Sequence, residues 1–466
     1  MEHKNHNYYK IWVLLFIGWT VSYADRTITG PILTWMIENN VSFLKNVTDP
    51  HALAGLIGSL LFTGYMLTQF PGGTLGDKYG HSTIIIISVF WAGIVTILSG
   101  FVTTLVGFIL LRVLVGLGEG VYYSNDRCVV IENTPVEKRS LGLGVVIAGL
   151  SVGITLGTIL VPVLINFGKD FLGNEDAWRM PFFIFGFLTL LVGIMFLLFL
   201  KNHKKAQYLK ASMELFLYSF LSLSVIMAIY YLSTKISLPK WGVAVLELIL
   251  AIIVIFIVFR KGYKKFPEVL NKNLIIMYIS AISILWNLWF FGFWSVAIIS
   301  SAADTTFMKA TLTAAFNAGA GVIGFPMGGW ISDFVVKKGG SRKTLLVVLT
   351  LLQGILTFVF GIYILYNGNS MVIMGLILFI TSLTFNALQP VSHALTAELV
   401  IPKYKGTAFG LWNLVGEIGA VLSPVINGTL RDLSGNWVWP IMLDAVLIIF
   451  SFFLLLFINI KKSTYK

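Results

Sequence analysis

LRVLVGLGEGVYYSNDRCVVIENTPVEKR, Leu111 to Arg139, is the stretch on which the reading of the chain turns. It begins inside a strongly apolar run and ends in a charged loop. Arg112 and Glu119 lie in the apolar part at positions i and i+7, so on a helix they share one face with Gly116 between them. A charge at the centre of a bilayer costs about 3 kcal/mol even on the lenient insertion scale. Two charges of opposite sign on one face predict a water-filled cavity and a polar ligand.

The surroundings match that setting. Of 466 residues, 57% are hydrophobic and only 12% charged, with a mean hydropathy of +0.86. Soluble domains carry about 25% charged residues, so the chain reads as an integral membrane protein. Apolar sequence continues from the polar N-terminus through Met36, too long for a signal-peptide core and without a small-residue cleavage site after it. It is read as a retained first span. The single cysteine, Cys128, leaves no internal disulfide and no multi-cysteine metal site, and no cofactor is expected. The alternation of an outer-membrane barrel is absent, so the spans are expected to be helices.

A helix needs about 20 residues to cross a bilayer. Suitable runs fall at 11–37, 52–76, 83–101, 104–127, 140–166 and 180–200, then at 213–234 and 241–259. A second set follows at 274–301, 310–332, 344–366, 371–398, 407–428 and 438–460. The expected fold is all-α, with 14 spans in the order six, two, six. The expected parts are an N-terminal half over 1–200, a central insert over 201–272 and a C-terminal half over 273–466. With the N-terminus inside, most of the 33 Lys and Arg residues fall in cytoplasmic segments, and only Arg26, Arg112 and Arg127 remain for the spans. Both termini are then cytoplasmic. The net charge of +12 is a topology signal and not a nucleic-acid footprint.

Two loops repeat. Gly73-Thr-Leu-Gly-Asp77-Lys78 follows the second span, and Gly329-Trp-Ile-Ser-Asp333 closes its counterpart in the second set. Each places Gly, three residues and Asp at a cytoplasmic helix end, with basic residues after it. Such repeats build two halves around a midplane site, and an Asp beside a base can latch one state through a charge-assisted bond.

Six plus six spans with Gly-x-x-x-Asp loops resemble the major facilitator superfamily. The run Arg112-x-x-x-Gly116-x-Gly118-Glu119 is similar to its fourth-helix motif. Tyr23-Ala-Asp25-Arg26, Tyr65-Met-Leu-Thr-Gln69-Phe-Pro71-Gly72-Gly73, Asn125-Asp126-Arg127 and Pro135-Val-Glu-Lys-Arg139 narrow the resemblance. Together they look like the anion:cation symporter branch, which includes bacterial sugar-acid permeases and vesicular and lysosomal organic-anion transporters. The resemblance implies that Arg26, Tyr23 and Tyr65 contact substrate, that Asp25 and Glu119 take part in proton coupling, and that Arg112 is the charge partner of the glutamate.

Elementary chemistry supports this assignment. Tyr23 and Arg26 share a helix face, and Asp25 points about 100° away. A guanidinium binds a carboxylate through two parallel hydrogen bonds. A partly desolvated carboxyl can hold a proton near neutrality. Asp126 and Arg127 are read as a cap and a snorkelled charge at the inner end of the fourth span. Gly149, Gly153 and Gly157 form a close-packing stripe, without the Gly-Pro pair of the superfamily's proton-driven antiporters.

The second half is less explicit. Its first helix has no basic residue but holds Asn287 among tryptophans; the superfamily's organic-phosphate antiporters carry basic residues there, so the resemblance implies a substrate other than a dianionic phosphate. Asn287 and Asn413 are candidate substrate contacts. Asn317, Asn386, Gln389 and Asn413 have the groups to hydrogen-bond substrate hydroxyls, although each reads more readily as an interhelical tie. Glu417, one turn after Asn413, stands near a position where many members of the resembling family have an amide, and is a candidate second proton site, cation site or filter for a zwitterion. His393 reads as an interfacial side chain. No His-x-x-x-His, catalytic carboxylate pair or nucleophile elbow is present, so an enzyme is not expected. The expectation is proton-coupled uptake of a small organic anion, a monocarboxylate such as a sugar acid, with Na+ as the other possible coupling ion. The carrier would act as a monomer in the cell membrane, through a site between two halves. The alternatives are a proton-driven exporter of amphipathic compounds and a sensor that binds ligand without moving it.

Overall fold

A computed structural model of the chain describes residues 7–134, 139–200, 207–263, 267–401 and 405–459. The Pro135 to Lys138 part of the helix-4 signature lies outside the described residues, as do the basic residues of 201–206 and 264–266.

A bilayer offers no water to backbone amides, so the chain must satisfy them within helices. The helices are α1 (Asn7–Glu38), α2 (Pro50–Tyr79), α3 (His81–Ser99), α4 (Leu105–Glu119), α5 (Tyr122–Asn133), α6 (Arg139–Leu172), α7 (Met180–Phe199), α8 (Tyr208–Lys235) and α9 (Lys240–Tyr263). They continue with α10 (Lys272–Ala303), α11 (Phe307–Lys337), α12 (Arg342–Leu365), α13 (Met371–Leu399), α14 (Lys405–Ser434) and α15 (Val438–Leu456). No strand occurs among the described residues. Among the described residues, eleven helical segments are long and apolar enough to cross a membrane.

The fourth span departs from expectation. Instead of one helix over 104–127, α4 ends at Glu119 and α5 starts at Tyr122. The cause is local: Gly116, Gly118 and Gly120 cluster at the junction, and each glycine weakens a helix by about 1 kcal/mol relative to alanine. The break leaves Glu119 as the last residue of α4.

The chain forms two compact units, Met1–Glu247 and Leu248–Lys466. In the first, α1 packs on α6, α2 on α4, and α3 on α7. In the second, α10 packs on α14, α11 on α13, and α12 on α15. The repeat seen in the two loops is therefore matched by a repeat in packing order.

The α8 helix lies at the periphery of the first unit, against α2, α3 and α4. Only 22% of its most apolar window is buried, against 89% for Pro50–Gln69 of α2. Phe216, Leu217, Phe220 and Leu221 remain exposed on it, a surface suited to lipid rather than water.

The glycine stripe of α6 sets its distance from α1. A Cβ on Gly149 would stand 2.5 Å from the Phe16 carbonyl oxygen, and one on Gly157 would stand 2.9 Å from that of Ala24. On Gly153 it would overlap the Thr20 carbonyl. Contact this close maximises dispersion where no hydrophobic effect separates helix from lipid. Gly153→Leu is expected to cost about 1–3 kcal/mol by overpacking and to lower the thermal unfolding temperature in detergent. Gly144→Leu, where a Cβ meets nothing within 4 Å, serves as the control and should leave it unchanged.

Candidate buried-charge site

Asp25 and Arg26 are adjacent on α1 and diverge, as helical geometry requires. Arg26 turns to the end of α4, where its Nε donates to the Glu119 carboxylate in an ion pair buried on both sides. Ser22, one turn before Arg26, joins the pair: Arg26 Nη2 donates to its Oγ at 3.2 Å, and that Oγ donates to Glu119 Oε1 at 3.1 Å. The guanidinium also lies 4.7 Å from the Tyr23 ring centroid and 4.3 Å from that of Tyr65. Arg26, Glu119, Tyr23 and Tyr65 are thus one cluster, each at most 8% exposed.

Asp25 turns the other way. Thr96 Oγ1 of α3 donates to its Oδ2 at 2.6 Å, and Arg112 Nη1 of α4 lies 4.0 Å from its Oδ1. Arg112 is fully buried. Its Nη2 donates to Ser99 Oγ at 2.5 Å, and its guanidinium lies 4.8 Å from the Phe182 ring centroid of α7. The expected Arg112–Glu119 pair is therefore replaced by two crossed pairs, Arg112 with Asp25 and Glu119 with Arg26. Residues i and i+7 on one helix are separated by about 10 Å of rise, so both reach across to α1 instead.

Close helix packing makes the crossing possible. A Cβ on Gly116 would overlap the Leu61 carbonyl, and one on Gly120 would overlap that of Tyr65. Only glycine lets α4 and α2 approach so closely, and that approach sets Tyr65 over Arg26.

Asp126 and Arg127 are not a snorkelled pair at the interface. Asp126 is fully buried and accepts from Trp19 Nε1 at 2.6 Å. Arg127 Nη1 lies 3.3 Å from it, and the Arg127 guanidinium sits 4.9 Å from the Tyr123 ring centroid. Burial follows from the aromatic wall of Trp19 and Tyr123, neither of which could be paired with these charges from spacing alone.

The loop motifs close onto the helix that follows each of them. Asp77 Oδ1 lies 3.6 Å from His81 Nε2 at the start of α3. Asp333 accepts from Arg342 Nη2 at 2.9 Å at the start of α12, and Arg342 also meets Glu398. Gly73 and Gly329 sit one turn before these acids, in the last turns of α2 and α11. Lys78 instead reaches Glu214 of α8 at 2.5 Å, and Tyr79 donates to the same carboxylate at 2.8 Å. That contact holds the Lys78 ammonium above the usual lysine range. Both partners are exposed, so the pair adds little to stability.

In the second unit, Asn413 Nδ2 donates to Glu417 Oε1 at 3.4 Å, and both are buried. Asn287 Nδ2 donates to Asp444 Oδ2 at 2.5 Å. Asp444 was not among the sequence candidates, although an acid inside the apolar run Val438–Leu456 is the signal that marks it. His393 packs edge-on to Trp412, with ring centroids 4.5 Å apart. Asn386 ties back to Ser382 on its own helix. Among the described residues no group of His, Cys, Asp and Glu is arranged to hold a metal.

A polytopic helical protein that buries two crossed ion pairs at membrane depth has the makings of a carrier of charged solutes. Comparison with known proteins agrees. The profile described as Major Facilitator Superfamily matches residues 15–338 and 277–465. The chain belongs to the Major Facilitator Superfamily and is a multi-pass membrane transporter, not an enzyme. It is 24% identical over 461 residues to the "Probable galactarate/D-glucarate transporter GudP" of Escherichia coli (strain K12), covering 94% of this chain and 90% of that one. It is 23% identical over 443 residues to the "D-galactonate transporter" of Escherichia coli O6:H1, covering 94% and 92%. The crystal structure of a POT family transporter in complex with 5-aminolevulinic acid superposes with a TM-score of 0.72 at 15% identity, covering 96% of this chain and 95% of that one.

Breaking one member of a buried pair strands the other and costs about 3–5 kcal/mol. Arg112→Leu is expected to lose stability on that scale in thermal unfolding. Adding Asp25→Leu should recover much of it, a coupling that two independent sites would not show.

Proposed function

We propose that the chain is an anion:proton symporter working by alternating access, with Arg26 as receptor for the anionic group of a small organic acid and Glu119 as proton carrier. The observation that carries this reading is the buried Arg26–Glu119 pair under the rings of Tyr23 and Tyr65. A substrate carboxylate and the Glu119 carboxylate are chemically alike, so they compete for one guanidinium. While Glu119 is ionised it occupies Arg26. A proton on Glu119 cancels that attraction and leaves the cation to the incoming anion. Proton and anion then favour each other's binding, which is what coupling requires.

A monocarboxylate such as a sugar acid is the substrate class favoured. The relative named for D-galactonate, a monocarboxylate, supports it, whereas galactarate and D-glucarate are dicarboxylates and support sugar acids only as a broader class. The receptor is a single arginine, Arg26, which matches one carboxylate in charge once a proton on Glu119 releases it. Tyr23 and Tyr65 would add hydroxyl contacts, and Asn413 with Glu417 would form a further polar contact from the second unit. Asn287 is a weaker substrate contact because its amide donor is taken by Asp444. Asp25, held by Thr96 and Arg112, would tune the field at Glu119.

The membrane arrangement that goes with this function is six, two and six spans, with α4 and α5 as one broken crossing and α8 with α9 as an inserted hairpin. The three parts, 1–200, 201–272 and 273–466, follow that division. Both termini are cytoplasmic on the basic-residue rule. A monomer in the cell membrane suffices for the mechanism, with Gly73, Asp77, Lys78, Gly329 and Asp333 as the gating loops. H+ is the coupling ion in this reading rather than Na+.

Arg26→Ala in proteoliposomes is expected to reduce sugar-acid counterflow at least about tenfold, since a buried charge pair in an interface is worth about 2–5 kcal/mol. Glu119→Gln should still exchange substrate but fail to accumulate it under an inward proton gradient. Normal uptake by Arg26→Ala would refute the receptor role. Proton-driven efflux of dyes that carboxylates do not inhibit would favour an exporter of amphipathic compounds.

A further inference from the structure

The second unit holds a small cavity that the anion site does not use. It is formed by α10, α12, α13 and α15, with a volume of about 10 Å³. Ser283, Asn287, Gln353, Ser392 and Ser451 are among the residues around it, although its surface is mostly apolar. A space of this size holds about one water and excludes any organic anion.

The wall is under-satisfied. Gln353 is 2% exposed, and neither its Oε1 nor its Nε2 has a hydrogen-bond partner. The same holds for Ser392 Oγ and for Thr357 Oγ1, one turn further along α12. Asn287, on the cavity wall, donates to Asp444 Oδ2 at 2.5 Å. Asp444 is fully buried, and its Oδ1 has no hydrogen-bond partner.

Asp444 also lacks a counter-charge. The helices packed on α15 are α12, α10 and α14. On α12, Arg342 pairs with Asp333 and Glu398, and Lys343 Nζ donates to the Leu456 and Ile458 carbonyls. On α10, Lys272 is the first residue of the helix, and the Tyr278 hydroxyl donates to the Val269 carbonyl. On α14, Glu417 accepts from Asn413, and Arg431 with Asp432 lies in the last turn. Among the described residues none of these forms an ion pair or hydrogen bond with Asp444. A bare carboxylate in such a place costs several kcal/mol. Such a group takes up a cation or gives up its charge.

We infer that Asp444 is a proton-binding site of the second unit, held by Asn287, whose side chain also borders the cavity. Loading forms the Asp444 Oδ1–H bond as a hydronium gives up its proton and remains as water. Release is the reverse. The site is separate from Glu119 and stands whether or not Glu119 couples transport. A carrier with one carboxyl of this kind in each unit could bind two protons.

The test is pH-jump infrared difference spectroscopy on the full chain in lipid vesicles, without added substrate. The wild type should show a protonated-carboxyl band that Asp444→Asn lacks, while the bands of Asp25 and Glu119 persist. Asn287→Leu, which removes the hydrogen bond to Asp444, should keep the Asp444 band but shift its pH midpoint. Identical spectra from wild type and Asp444→Asn would overturn the inference, as would a band that NaCl removes at constant pH. If Asp444→Asn does not fold, an unshifted midpoint in Asn287→Leu would overturn it.

Discussion

Taking a guanidinium and a carboxylate out of water costs several kcal/mol for each ion, and their attraction only partly repays it. Arg26 and Glu119 bear that cost at the centre of the first unit, with Ser22 bridging them and two tyrosine rings above the cation. A well-packed apolar pair of similar volume would be no less stable. The pair therefore has the character of a working part. In the proposed mechanism it is a contact exchanged for a substrate carboxylate while a proton neutralises Glu119.

The rest of the unit holds that contact in place. The Gly149, Gly153 and Gly157 stripe brings α6 onto the back of α1, and Gly116 and Gly120 bring α4 onto α2. Arg112, Ser99, Thr96 and Asp25 form a second polar layer that ties α1, α3 and α4 together beside the first. Because the acid and base of each pair come from different helices, movement of α4 relative to α1 changes both pairs at once. The glycine break after Glu119 allows its carboxylate to move without a long rigid helix following it.

Much of this was legible in the sequence, for physical reasons. A bilayer permits few backbone solutions, so apolar runs gave most of the helices. The divergence of Asp25 and Arg26 follows from the rotation between neighbouring residues. The α6 stripe was readable because a four-residue glycine spacing has a direct meaning in helix packing. The partners were less legible. Arg112 and Glu119 share a face and invite pairing, but the rise between them is too great and α1 is nearer to both. Asp126 looked interfacial because its aromatic partner, Trp19, is remote in sequence. Asp444 is a lone acid in its apolar run, and its partner Asn287 comes from a helix distant in sequence. Interhelical contacts among polar residues carry no local periodicity, which is why these escaped.

The most direct measurement is proton exchange on binding. Purified protein in weakly buffered detergent is mixed with sugar acids while a pH indicator is followed. Uptake of protons that saturates with anion binding, and is lost in Glu119→Gln, is the predicted result. Anion binding with no proton uptake at any pH near neutrality would contradict the account.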